Sequence, residues 1–232
     1  MAIDIAFDFR TDTTGPDPDR DSPTLREYHR LLWSKPLPSR AAFDLTDTYP
    51  DGYLVHRSEL GEFLLSSDSA INTYTHWVRM KPIIDQFPEP ELEAFRTIAY
   101  TIGGMIVFPS NRIDGYPTIN QERGTNAEID DRFDLTVECI RRHYLKLGSP
   151  LAPTLSRYSA FFDLFGDFRG YVTFFLLDDL VADDGSVKFF LPFDDEFPPE
   201  PWPKDVGAYG EYRRRSIEFV EARNNRIAQL NL

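Results

Sequence analysis

The chain has 232 residues, is 41% hydrophobic and carries a formal net charge of -13. This apolar content is enough for a core, and the single cysteine, Cys139, excludes an internal disulfide. The apolar runs are too short to cross a bilayer, and the acidic start lacks the basic and apolar regions of a signal peptide. We therefore expect a cytoplasmic protein with no membrane span, folded as a single globular domain over residues 1–232.

Most of the negative charge falls in two segments of the chain. Residues 1–22 hold six acids against two arginines, and residues 178–200 hold eight acids against one lysine. The total charge disfavours non-specific binding to nucleic acid. The acidic surfaces at Asp17–Asp21 and Asp194–Glu200 would instead suit a basic protein partner.

The first half of the chain mixes strand and helix patterns. Apolar residues alternate with acids over Ile3–Phe9, which predicts a half-buried strand. Ser22 followed by Pro23 predicts a helix N-terminus, and residues 41–65 predict a small antiparallel meander.

The second half is mainly helical in its patterns. Apolar residues along Glu128–Leu147 fall in one stripe, which predicts a helix with a buried face and a polar outer face that includes Asp134 and Glu138. The fold class is therefore α+β, a predominantly helical domain with a small, mostly antiparallel sheet. The remaining predictions are helices over 89–100, 150–166, 168–180 and 209–230, strands over 101–108 and 186–193, and an acidic, Pro-rich loop around 194–205.

The most concentrated polar chemistry lies in the loop over residues 108–126. This loop follows a buried strand and precedes a helix, a position that favours a binding site because the strand end holds the loop and free N–H groups welcome an anion. Arginine forks bind phosphate or carboxylate in a bidentate manner, and asparagine amides orient the ligand. The candidate ligand-binding residues are Asn111, Arg112, Asn120 and Arg123.

Two carboxylates near this loop are the candidate catalytic groups. Asp114 or Asp131 could act as a general base, or hold Mg²⁺, if chemistry follows binding. An alternative explains the same residues without a ligand: Asp114 makes a turn with Gly115, Thr118 caps a short helical turn, and Arg123 pairs with a carboxylate.

Complete catalytic or metal-binding signatures are absent from the sequence. The loop lacks the glycine spacing of a phosphate loop, and the four histidines lack metal-ligand spacing. Cys139 lies one helical turn from His143, but a mid-helix cysteine more often fills a core. No metal site is predicted, the cofactor is unknown, and the sequence leaves open whether the protein is an enzyme.

Five segments together resemble an uncharacterised bacterial family of unknown function. The resemblance spans nearly the whole chain and implies a bacterial cytosolic protein, but it implies no activity and no site residues. The segments are FDFRTDT, SPTLREYHRLLWSKPLP, FPSNRIDGYPTINQERG, DRFDLTVECIRRHY and EYRRRSIEFVEARNNRI.

Two functions remain open from the sequence. The first is binding or processing of a small anionic ligand, a nucleotide or a phosphate ester, at the 108–126 loop. The second is a non-enzymatic interaction or regulatory module that uses the acidic surfaces.

Overall fold

A computed structural model of the chain describes residues 3–15, 18–47 and 53–230. Helices dominate these residues, and the longest closes the described chain. The helices are α1 (Pro18–Asp21), α2 (Pro23–Trp33), α3 (Lys81–Ile84), α4 (Glu89–Ala99), α5 (Ile119–Thr125), α6 (Phe133–Tyr144), α7 (Ala152–Arg157), α8 (Ser159–Asp163), α9 (Phe168–Phe174) and α10 (Val206–Ala228).

The strands form two small sheets in which every described pair is antiparallel. One sheet has two strands and the other has four, in the order β3-β4-β5-β6. The predicted α+β class, largely helical with a small antiparallel sheet, is confirmed. The strands are β1 (Lys35–Pro36), β2 (Ala42–Phe43), β3 (Thr46–Asp47), β4 (Leu54–Ser58), β5 (Gly61–Ser69) and β6 (Met105–Pro109).

The predicted strand over Ile3–Phe9 is wrong. Residues 3–8 form turns and irregular backbone, and a short 3-10 helix follows at Phe9–Thr11. The Asp4 carboxylate accepts the Ala6 N–H at 2.9 Å, and the Asp8 carboxylate accepts the Arg10 N–H at 3.0 Å. These local bonds compete with a sheet for the backbone donors, so an alternating pattern gave no strand.

Helix α6 differs from its prediction in its start and in its polar face. Asp130 and Asp131 adopt positive φ angles of 46° and 62°, which delays the helix until Phe133. Asp134 and Glu138 are buried rather than on an outer face, at 0% and 2% exposure. Internal arginines make this possible, because a carboxylate is buried at low cost only when it is paired and hydrogen-bonded.

The predicted strand over 186–193 is also absent from the described backbone, where an isolated bridge joins Val181 to Val187. The Phe190 N–H donates to the buried Asp134 carboxylate at 2.7 Å, and the Lys188 N–H donates to the Leu180 carbonyl at 2.8 Å. Because the Phe190 N–H is bonded to a side chain 56 positions away, it is not available to extend a ladder from the bridge.

Helix α10 packs closely against the segment that leads into β6. A Cβ atom on Gly103 would lie 2.6 Å from the Val220 carbonyl oxygen, so only glycine permits this approach. The Gly103 N–H donates to Asn224 Oδ1 at 2.7 Å, and Arg223 donates to the Gly103 carbonyl at 2.9 Å. These contacts fix β6, and through it β5, against the terminal helix.

Candidate functional site

A polar cleft of about 470 Å³ opens between α2, the β4-β5-β6 part of the sheet and the segment from Ser110 to Gln121. Its volume lies within the range that small-molecule sites occupy. The lining residues are Arg26, His29, Tyr53, Leu54, Leu65, Ser66, Ser67, Asp68, Val107, Ser110, Arg112, Thr118, Asn120 and Gln121.

The cleft forms where the pairing of β5 with β4 stops. The last β4 partner is Leu54, opposite Leu65, so beyond that point β5 has no strand neighbour on that side among the described residues. Residues 66–69 still pair with β6 on the other side. Side chains from both faces of β5 therefore reach the cleft around this open edge, which explains how the adjacent Ser66 and Ser67 both line it.

Two lining arginines have no acceptor for their side chains. Neither Arg26, from α2, nor Arg112, from the loop after β6, forms a side-chain hydrogen bond or an ion pair with any described residue. Arg26 is half-buried and its Nε atom is fully buried without a partner, whereas Arg112 is exposed. The cleft thus contains guanidinium donors that bond no residue of the described part of the chain.

A hydrogen-bonded chain from the core ends at Ser67. The Trp33 indole N–H, which is a donor only, donates to His29 Nδ1 at 2.9 Å, so the proton of the neutral imidazole lies on Nε2. Nε2 lies 2.8 Å from Ser67 Oγ and donates to it. Burial lowers the pKa of His29 to about 3, which keeps the ring neutral.

This tautomer determines whether His29 can act as a general base for Ser67. Because Nε2 carries a proton and Nδ1 accepts from Trp33, His29 has no lone pair with which to take the Ser67 proton. Ser67 and His29 therefore do not form a nucleophile and its general base. The Ser67 O–H is left as a donor, since Oγ already accepts from the imidazole.

Asn120 orients the Ser66 hydroxyl group in a similar way. The Asn120 Nδ2 group donates to Ser66 Oγ at 3.0 Å, so the Ser66 O–H also remains a donor. Thr118 and Gln121 complete this wall through a capping box at the start of α5, in which each side chain bonds the other's backbone N–H. The polar wall is therefore held by α5 and presents hydroxyl donors.

Asp68 is the one carboxylate among the described lining residues, and it belongs to a buried ion cluster. Arg123 Nη1 donates to Asp68 Oδ2 at 2.9 Å and to the Ser69 carbonyl at 3.1 Å, while its Nη2 lies 3.1 Å from an Asp131 oxygen. One guanidinium thus serves two carboxylates. The Asp68 side chain is 28% accessible. Burial nevertheless raises its pKa to about 7; the positive charge of Arg123 opposes this increase, and the negative charge of Asp131 adds to it.

The comparison with protein-family models identifies the chain. A model described as "Family of unknown function (DUF6994)" matches residues 3–227. The chain belongs to this family. No curated protein and no solved structure matches it.

In this family member, the six residues predicted from the sequence separate into two groups. Arg112 and Asn120 line the cleft. Asn111 instead anchors the loop through two hydrogen bonds. Its Oδ1 accepts the Leu64 N–H at 2.6 Å, and its carbonyl accepts the Tyr158 hydroxyl at 2.7 Å. Arg123 is fully buried and bound to carboxylates rather than free for a ligand.

The two candidate catalytic carboxylates do not line the cleft. Asp114 is exposed in a turn with Gly115, where both have positive φ angles, and Asp131 is bound to Arg123. Burial raises the pKa of Asp131 as well. The alternative expectation for this loop, with a turn at Asp114, a cap at Thr118 and a carboxylate on Arg123, describes these contacts.

The sequence did not reveal the lining residues from α2 and β5. Arg26 and His29 lie three positions apart on an amphipathic helix, a spacing that equally describes a helix face against the core. Ser66, Ser67 and Asp68 are adjacent polar residues at the end of a strand, which was the only signal available for them.

The other polar groups singled out from the sequence have local explanations. Burial raises the pKa of the Cys139 thiol to about 12, so the thiol stays protonated near neutral pH and is a poor nucleophile. In the acidic loop, Asp195 pairs with Arg142, and Glu200 lies 3.2 Å from Lys204. Asp17 of the other acidic segment lies outside the described residues.

The described residues contain neither a candidate metal cluster nor a candidate membrane span. Within residues 3–15, 18–47 and 53–230, no three His, Cys, Asp or Glu side chains are arranged to hold a metal ion. Over the same ranges, no helix combines the length and the apolar character needed to cross a membrane.

Proposed function

We propose that the protein binds a small anionic ligand, a nucleotide or another phosphate ester, in the cleft beside the open edge of β5. Arg26 and Arg112 hold the anion. The observation that carries this proposal is that both guanidinium groups line the cleft without an acceptor among the described residues. Guanidinium forks bind phosphate through paired charge-assisted hydrogen bonds.

The hydroxyl groups of the cleft favour the same ligand. Ser66 Oγ accepts from Asn120 and Ser67 Oγ accepts from His29, so both O–H groups remain to donate. Donors outnumber acceptors, because Asp68 is the one acid in the described lining. An anion with several oxygen acceptors satisfies such a set of groups, whereas a cation does not.

The local charge also supports an anion despite the acidity of the whole chain. Arg26, Arg112 and Arg123 bring three positive charges to the cleft and its wall, against the carboxylates of Asp68 and Asp131. A partly enclosed site strengthens this local field, whereas salt screens charges that lie more than about a Debye length away. The proposal therefore needs no basic surface beyond the cleft.

A thermal-shift screen tests the proposal. Inorganic phosphate, pyrophosphate and AMP are added to the wild type, to Arg26→Ala, to Arg112→Ala and to Arg40→Asn. Arg40 is an exposed arginine outside the cleft with a positive φ of 70°, which asparagine tolerates, so this variant removes the same charge elsewhere.

We expect at least one of these anions to raise the melting temperature of the wild type and of Arg40→Asn. Both cleft variants should lose most of that increase, because each removes one anchor of the anion. The proposal fails if no anion stabilises the wild type, or if Arg40→Asn loses as much of the response as the cleft variants do.

A further inference from the structure

The Asp68 carboxylate lines a cleft that also contains the free donors of Arg26, Arg112, Ser66 and Ser67, and this combination narrows the ligand class. We infer that the cleft selects phosphate esters whose carbon skeleton bears hydroxyl groups, a sugar phosphate either free or within a nucleotide, and that Asp68 accepts a hydrogen bond from one of those hydroxyls. The inference rests on the proposed function, since it assigns a second part of the same ligand.

Asp68 is held in a fixed orientation with acceptor capacity left over. Its Oδ1 accepts the Ser69 N–H at 2.9 Å, and its Oδ2 accepts from Arg123 at 2.9 Å. Each carboxylate oxygen has two lone-pair sites, so one remains on each atom. With 28% of the side chain accessible at the cleft, these sites can meet a ligand.

A bare anion fits this arrangement poorly. An ionised carboxylate in the lining repels a second negative group nearby and needs a donor from the ligand. Beyond the Ser69 N–H and Arg123, no described residue donates to Asp68, and the Ser66 and Ser67 hydroxyls have no hydrogen bond to it. A ligand with a hydroxyl beside its phosphate can bond both the donors of the cleft and the Asp68 carboxylate.

An ammonium group is the other donor that a carboxylate could accept, and the surrounding charges oppose it. Arg123 already pairs with Asp68, and Arg26 and Arg112 line the same cleft. An ammonium ion at Asp68 would lie among three guanidinium groups, whereas a neutral hydroxyl is not repelled. The pKa of Asp68, raised to about 7, also suits a hydroxyl, which can accept from the protonated carboxyl as well as donate to the ionised one.

The remaining wall suits the carbon skeleton of such a ligand. Leu54, Leu65 and Val107 are buried apolar residues of the three strands that line the cleft, and Tyr53 adds a half-buried aromatic ring. Ligand sites commonly combine an apolar wall with a few fixed polar groups. Apolar contact and hydroxyl recognition are thus both available away from the arginines.

Isothermal titration calorimetry with matched ligands tests the inference. Methyl phosphate, ribose 5-phosphate, phosphoethanolamine and AMP are titrated into the wild type, Arg112→Ala, Asp68→Ala and Asp68→Asn. The Ser69 N–H and Arg123 bond different oxygens of Asp68, so the asparagine variant keeps an acceptor for only one of them. Because it also keeps the shape of the side chain, it should disturb the fold less than the alanine variant does.

In the wild type, we expect ribose 5-phosphate to bind about tenfold tighter than methyl phosphate, which corresponds to one charge-assisted hydrogen bond. Arg112→Ala should weaken both ligands and keep this ratio. Asp68→Ala should bring the ratio close to one, and Asp68→Asn should bring it below about threefold. If AMP binds more tightly than ribose 5-phosphate, the preferred ligand is a nucleotide. If the two bind with equal affinity, the preferred ligand is a free sugar phosphate.

The possible failures are distinguishable. If both phosphates bind equally and Arg112→Ala weakens both, the anion site stands and the hydroxyl inference is overturned. Tighter binding of phosphoethanolamine than of ribose 5-phosphate overturns it in favour of an ammonium group. If no phosphate compound binds, or Arg112→Ala has no effect on binding, the proposed function itself fails and the inference falls with it.

Discussion

The arginines of the interior and those of the cleft differ in whether the fold gives them hydrogen-bond acceptors. Arg123 and Arg132 are buried against carboxylates that the fold brings to them, and Arg223 is buried against backbone carbonyls. Arg26 and Arg112 face an open cleft and bond no described residue. The interior group holds segments together, whereas the cleft group is the one that we propose binds the anion.

An arginine without an acceptor therefore indicates a binding site better than the number of arginines in a segment does. Arg112 and Arg123 lie eleven positions apart in one polar stretch, yet Asp68, from a strand 55 residues away, occupies only Arg123. What distinguishes the two residues is the position of a distant carboxylate. Stability should therefore respond to changes in the interior group, and ligand affinity to changes in the cleft group.

The largest expected effect is that of Arg123→Ala on stability. This change leaves the Asp68 and Asp131 carboxylates buried without their cation, which should lower the free energy of unfolding by about 3–5 kcal/mol at pH 8. The loss should shrink near pH 5, because the two unpaired acids then bind protons instead. Urea unfolding at both pH values measures this loss in the free energy of unfolding. A loss below about 1 kcal/mol at pH 8 would contradict the internal role.

A smaller loss is expected for Arg223→Leu. Arg223 donates to the carbonyls of Gly103, Met105 and Phe175, so leucine leaves buried acceptors without donors. The same change removes a buried charge that has no carboxylate partner among the described residues, which offsets part of the cost. Urea unfolding should show a loss of about 2–3 kcal/mol. A loss as large as that of Arg123→Ala would mean that carbonyls and carboxylates are equivalent partners here.

The cleft arginines should show the reverse pattern. Arg26→Ala and Arg112→Ala should each weaken phosphate or AMP binding about tenfold, the loss of one strong anchor. Their free energy of unfolding should stay within about 0.5 kcal/mol of the wild type, because neither side chain bonds the described protein. Calorimetric titration and urea unfolding of the same samples test both halves of this prediction.

The smallest effect is the pH dependence of binding for an anion of constant charge, such as sulfate. The pKa of Asp68 is raised to about 7, so the carboxyl is mostly charged at pH 8 and mostly protonated at pH 6. Protonation removes a negative charge from the cleft, and sulfate affinity should rise about threefold as the pH falls across that range. His29, with a pKa of about 3, does not titrate there.

Asp68→Asn is the control for this pH dependence. Its neutral amide should bind sulfate as tightly at pH 8 as at pH 6, because the titrating group has been removed. An unchanged pH profile in this variant would assign the titration to another group.

The sequence predicted the parts of the fold whose signals are local. Ser22 caps α2, and the antiparallel meander and the terminal helix are present. Predictions failed where a side chain competed with the expected backbone bonds, as the Asp8 carboxylate does for the Arg10 N–H. They also failed where a distant partner helped to bury a charge, as the Phe190 N–H does for Asp134. Both depend on contacts that periodicity does not encode.

The cleft was predicted only in its loop half for the same reason. Arg112 and Asn120 were named because a polar loop after a buried strand is a common position for a site. The α2 and β5 halves meet through contacts such as that between His29 and Ser67, which are 38 residues apart. Nothing local marks these residues as neighbours.

The most direct test of the central claim is an NMR titration that observes arginine side chains. Inorganic phosphate is added while the Nε–Hε signals are recorded, with assignments taken from the Arg26→Ala, Arg112→Ala, Arg123→Ala and Arg223→Leu spectra. We predict that the Arg26 and Arg112 signals shift with one common dissociation constant, while those of Arg123 and Arg223 stay in place. Shifts confined to arginines outside the cleft, with Arg26 and Arg112 unmoved, would contradict the claim.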